Sequence, residues 1–213
     1  MHQVLKLWIS LTIAITMIAA HSMASAFNNF VTIRLPKGVS IELPKSWVVL
    51  SGNQRITLDS AVKSGLDLSG IEYVSSEFPF TANYYDEKGA TLGIVNIRYY
   101  PQIALTQVDA EAASSQDVKE LDATFKEDML KSTKPFGITV TSWIGTHKTS
   151  INGIIVFTTD YRTNSIKDTG EFRTRLVHVF SGDKSFTLTV SYHEKASFLL
   201  KPITDKIINS LDM

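Results

Sequence analysis

The chain has 213 residues with 21 Lys and Arg against 21 Asp and Glu, and 44% of it is hydrophobic, the profile of an ordinary globular protein. Its zero net charge argues against a nucleic-acid partner, because phosphate neutralisation needs a basic face and no run of like charges supplies one. The absence of cysteine excludes disulfide scaffolds, thiolate zinc sites, iron–sulfur clusters, cysteine nucleophiles and a lipidated N-terminal cysteine.

Residues 1–26 read as a secretory signal peptide. A weakly positive start at Lys6 precedes an apolar stretch from Leu7 to Ala20, and Ala24-Ser25-Ala26 offers a small-residue cleavage site. The competing reading is an uncleaved anchor, since Leu7 to Ala26 is 20 residues, about the span of a bilayer core. His21-Ser22 interrupts that stretch and favours cleavage. Removing 26 residues from 213 leaves 187, and losing Lys6 turns the net charge to −1. Residues 27–213 are then expected to form one domain in the periplasm or outside the cell, since a chain of that size buries about 70% of its unfolded surface.

Phe30 to Leu35 and Val39 to Leu43 alternate and are joined at Pro36-Lys37-Gly38, which predicts a β-hairpin. Pro44 has no N–H to donate and stops the second strand, after which Ser46 to Leu50 resumes as an extended segment. Ile56, Leu58, Val62 and Leu66 suit a short helix between Gln54 and Gly70. Phe78 to Asp86 and Ala90 to Tyr100 form the next hairpin across Glu87-Lys88-Gly89. A capping-box arrangement at Ser114-Ser115-Gln116-Asp117 introduces Val118, Leu121, Phe125 and Met129, the apolar stripe of a helix ending before Pro135.

Ile138 to Thr149 and Ile154 to Arg162 are joined by Asn152-Gly153, the dipeptide best suited to a type I′ turn. Phe172 to Phe180 and Ser185 to Tyr192 complete the strands. Pro202 opens a last helix carrying Ile203, Ile207 and Leu211 on one side. The expected class is α+β, an antiparallel sheet of hairpins covered by helices.

Val39-Ser-Ile-Glu-Leu-Pro-Lys-Ser-Trp47 resembles the opening of the PsbP-like superfamily. Ile151-Asn-Gly153 before a long strand, and the close from Ser185 to Tyr192 and Lys201 to Leu211, are similar to it too. The resemblance implies an αβα sandwich, a fold shared with a Ran-binding nuclear import factor and with exported bacterial proteins of unknown function. It also implies a non-enzymatic binding or assembly role. Within it, Pro44, Trp47 and Gly153 are structural: a strand end, a core aromatic and a turn. No recognition residue carries over, and the missing cysteine departs from the lipoprotein members.

Ser60-Ala-Val-Lys63 matches the S-x-x-K motif of penicillin-recognising enzymes, and Lys148-Thr149-Ser150 echoes their later strand motif. The intervening Ser-x-Asn element is missing, and two common fixed residues arise by chance in a chain of this length. His147, His178 and His193 show no metal-ligand spacing, and Gly-x-Ser-x-Gly is absent. No catalytic set, metal site or cofactor is therefore expected.

What remains is a set of polar strand positions: Arg98 and Tyr100 beside Asn96, then Asp160, Arg162, Arg173 and Arg175, with Tyr84, Tyr85, Tyr99 and Tyr161 around them. Arg and Tyr together suit interfaces and anion sites, although Arg on a sheet face also pairs with neighbouring carboxylates. The expected function is an exported binding or assembly module whose partner is another envelope protein or a small ligand. The alternative is a small-ligand-binding protein or hydrolase using a pocket of these residues.

Overall fold

The computed structural model describes residues 29–67, 77–100, 105–165, 168–182 and 184–213; the expected signal peptide, residues 1–26, and Gly70 lie outside them. β1 (Phe30–Arg34) and β2 (Ser40–Pro44) form a separate hairpin in which Phe30 faces Pro44. The main sheet contains β3 (Val48–Val49), β4 (Glu77–Tyr85), β5 (Thr91–Tyr99), β6 (Ile138–Ile151), β7 (Ile154–Ser165), β8 (Asp168–Val179) and β9 (Phe186–His193). Its order is β3-β4-β5-β9-β8-β7-β6, and each neighbouring pair is antiparallel. The helices are α1 (Gly52–Asp67), α2 (Gln107–Ala112), α3 (Ser115–Thr133) and α4 (Ser197–Asn209). The fold is α+β.

Register sorts the strand side chains onto two faces. One carries Ala82, Val95, Ile97, Tyr99, Leu188, Val190 and Val177, closed by Leu200, Ile203 and Ile207 of α4 and by Ile41 and Leu43 of β2. Full burial of each such aliphatic side chain contributes about 1.5–3 kcal/mol. The other carries Phe157 and His178, over which α2 and α3 lay Ala110, Val118, Leu121 and Phe125. Helices on both faces make an αβα sandwich.

Local chemistry explains most boundaries. The Ser114 hydroxyl accepts from the Asp117 N–H while the Asp117 carboxylate accepts from the Ser114 N–H, so α3 starts where the capping box places it. Asn152 (φ 49°) and Gly153 (φ 83°) both take the left-handed conformations that a type I′ turn demands.

Three expectations are corrected. In α1, Ile56 and Leu58 point to solvent, and the helix touches the sheet's polar end through Asp59, whose carboxylate lies 3.9 Å from Arg98. Pro202 sits inside α4 and does not open it; the carbonyl its missing N–H would have served belongs to Phe198, an exposed residue that water can satisfy. The polar ends also continue the ladder: Ser165 pairs with Asp168, so β7 and β8 run past Arg162 and begin before Phe172. Among the described residues no helix is long and apolar enough to cross a membrane.

Candidate binding site

The polar strand positions do not form one patch. Asn96 and Arg98 share a face with Thr187 and Thr189 of β9, whereas Asp160, Arg162, Arg173 and Arg175 share the opposite face with Val190 and Tyr192. Arg98 reaches Asp59 of α1, and Tyr100 is half-buried beside Thr187; burial pushes its phenol pKa up. The surrounding tyrosines are structural. Tyr99 lies in the core and donates to the Pro36 carbonyl at 2.8 Å, Tyr84 packs on Trp47, Tyr161 stacks on Trp143, and Tyr85 accepts from Asn83.

Asp160, Arg173 and Arg175 of the second group, but not Arg162, line a cleft of about 220 Å³ between the sheet and α4. Asp160, Arg173, Arg175 and Tyr192 form its floor, Lys201, Asp205 and Ile208 its α4 wall, and Ile144 its β6 edge. Arg175 forks onto Asp160 with bonds of 2.8 and 3.1 Å, and Lys201 meets Asp205 at 2.6 Å. Arg162 meets Glu171 at 3.0 Å. Arg173 differs: it stands opposite Tyr192 in the ladder, and among the described residues it forms no ion pair with a carboxylate. The neighbouring Tyr192 phenol, with the fields of Glu194 and Asp160, holds its pKa above the ordinary arginine value.

The α4 wall escaped the sequence reading. Lys201 and Asp205 are one turn apart, a spacing that marks a shared helix surface, but nothing in the sequence says that this surface faces β8.

The other candidates are dispersed. Ser60 and Lys63 are exposed on α1, while the Lys148 amine donates to the carbonyls of Glu111 and Ala113. His147 is exposed. His178 is buried against Phe125, and the His193 ring accepts from the Lys195 N–H at the junction after β9. Among the described residues no group of three His, Asp or Glu side chains could hold a metal ion.

Among solved structures the chain is similar to cyanobacterial PsbP (CyanoP) from Synechocystis sp. PCC 6803, with a TM-score of 0.52 and 12% identity over 87% of this chain and 92% of that one. The chain has the PsbP-like fold. The Ran-binding protein Mog1p of Saccharomyces cerevisiae is also similar, with a TM-score of 0.44 and 12% identity over 86% of this chain and 95% of that one. No family model and no curated protein matches the sequence. At such identities the PsbP-like likeness is one of fold, and it transfers no binding residue to the cleft.

Proposed function

We propose that the chain is an exported, single-domain, non-enzymatic binding or assembly module whose recognition surface is the cleft beside α4. Arg173 carries this reading: it is a half-buried guanidinium in a concave site where Arg175 and Lys201 each hold a carboxylate while, among the described residues, it has no ion-pair partner. A ligand carboxylate would complete the arrangement, because the planar fork of arginine matches that group. An acidic side chain of an envelope protein supplies it, and so does a small organic acid.

Thermal melting of the full chain with glutarate, and separately with an acetylated glutamate-rich peptide, tests the reading. Saturating ligand is expected to raise stability by about 2.7 kcal/mol at a hundredfold excess over Kd, and Arg173→Gln is expected to remove the gain. A response to the peptide alone assigns a protein partner, and a response to glutarate a small ligand. The absence of any Arg173-dependent shift sinks the reading. Export is checked by N-terminal sequencing of the envelope form, which is expected to begin at Phe27.

A further inference from the structure

The opposite face of the sheet carries a second opening. Where α2 turns into α3, a groove of about 380 Å³ is walled by Ala110, Ala113, Leu121, Phe157 and Phe180 and entered past Leu105. Gln107 fixes its shape. The side-chain amide donates to the carbonyls of Ile155 (3.0 Å) and Phe180 (2.8 Å), and its oxygen accepts from the Ile155 N–H (2.8 Å). These three bonds tie α2 to the sheet at a set distance, so the groove exists before anything enters it.

The apolar surface continues onto the rim. Leu105 is 47% exposed, and Val108, one turn before Ala112, is 74% exposed. Two carboxylates, Asp109 and Asp117, stand in the same lining. Capping bonds to Thr106 and Ser114 hold both below the ordinary carboxylate range, so both are ionised at neutral pH. Lys148, the cation whose field reaches Asp117, has its amine turned to the Glu111 and Ala113 carbonyls.

We propose that this groove docks a basic, apolar segment of a partner protein, with an apolar side chain seated against Phe157 and Phe180 and a flanking Lys or Arg over Asp109 and Asp117. Charge complementarity selects the occupant. A purely apolar or acidic segment would strip water from two carboxylates and return nothing, whereas a flanking cation replaces the lost hydration. The groove and the cleft lie on opposite faces of the sheet, so both can be filled at once. The proposal does not depend on what the cleft binds.

The test titrates two fluorescein-labelled hexapeptides, one alternating leucine with lysine and one alternating leucine with glutamate, with the full chain and reads anisotropy. The lysine peptide is expected to bind about tenfold or more tightly than the glutamate peptide, and its affinity is expected to fall as salt rises. Ala112→Lys places a cation at an exposed lining position, and it is expected to weaken the lysine peptide about tenfold with no change in Tm. Asp117→Asn, which keeps a capping oxygen, is expected to weaken it several-fold. Equal affinity for the two peptides overturns the proposal, as does binding of neither or indifference to Ala112→Lys. A concentration-dependent dimer lost in Ala112→Lys also overturns it, in favour of a second copy of the chain.

Discussion

Arg162 on β7 and Arg173 on β8 stand directly opposite one another, and among the described residues it is Arg162 that forms an ion pair, with Glu171. Like charges in that position repel by a few tenths to about 1 kcal/mol. Glu171 relieves the repulsion, and the Thr141 hydroxyl at 2.5 Å together with Arg162 holds its pKa below the ordinary value. Arg173→Gln is therefore expected to leave folding stability unchanged or raise it by about 0.5 kcal/mol, while Glu171→Gln lowers it by about 1 kcal/mol. Urea midpoints decide. A loss well above 1 kcal/mol for Arg173→Gln would make Arg173 a structural residue and remove the argument for the cleft.

The fork between Arg175 and Asp160 is expected to respond asymmetrically. The Arg175 side chain is 42% exposed and can turn to water when its partner is lost, whereas Asp160 is 16% exposed and cannot. Arg175→Met is thus expected to cost about 1–2 kcal/mol and Asp160→Asn less than about 1 kcal/mol. Equal costs in denaturant melts would show that the carboxylate finds water without Arg175.

The sequence pattern carries the hairpins and α3 because their determinants are local: Asn152-Gly153 needs only its own two dihedrals, and Ser114 and Asp117 satisfy each other. The same device sits at Thr106 and Asp109, yet a six-residue helix is too short for periodicity to reveal, so α2 and its groove went unread. The site failed for a different reason. Alternation within a strand says which residues share a side but not which side of the next strand they join. Arg98 and Arg173 lie on separate hairpins, and register alone places them on opposite faces. Pro202 misled because proline favours a first turn, while the carbonyl it leaves unserved belongs to Phe198, an exposed residue that water can reach.

Asn152 does more than turn the chain. Its side-chain amide donates to the carbonyls of Asn209 (3.0 Å) and Leu211 (2.9 Å), fastening the β6–β7 turn to the end of α4. Asn152→Gly keeps the left-handed backbone and loses both bonds, for an expected cost of about 1–2 kcal/mol. Asn152→Ala adds backbone strain, for about 2–3 kcal/mol in all. Thermal melts of the two variants separate the contributions, and equal values would mean that the conformation costs alanine nothing here.

Close approach explains one glycine. A Cβ on Gly93 would lie 2.8 Å from the Trp47 ring, a core side chain with 5% of its surface exposed. Gly93→Ala is expected to destabilise by about 1–3 kcal/mol through overpacking, and Trp47→Phe in the same chain to recover part of the loss. Without that recovery in a double-mutant cycle, the clash is not the cause.

His178 sets the acid sensitivity of the α3 layer. Its ring stacks on Phe125 at 4.1 Å, Nδ1 lies 3.0 Å from the Thr187 hydroxyl, and Nε2 has no hydrogen-bond partner among the described residues. Burial pushes its pKa down to about 3 from the ordinary 6.5. The unfolded chain therefore binds a proton that the folded chain refuses between those values. Stability is complete above pH 6.5 and falls as pH drops, by about 2 kcal/mol at pH 5. The carboxyls held low in the fold, such as Asp117 and Glu171, add their own loss only at lower pH, because they stay ionised in both states above about pH 5. His178→Phe keeps a ring on Phe125 and removes the titration, so its urea midpoint is expected to stay flat from pH 7 to pH 5 while the parent's falls. A parent midpoint that does not move across that window would show that His178 is protonated where it sits.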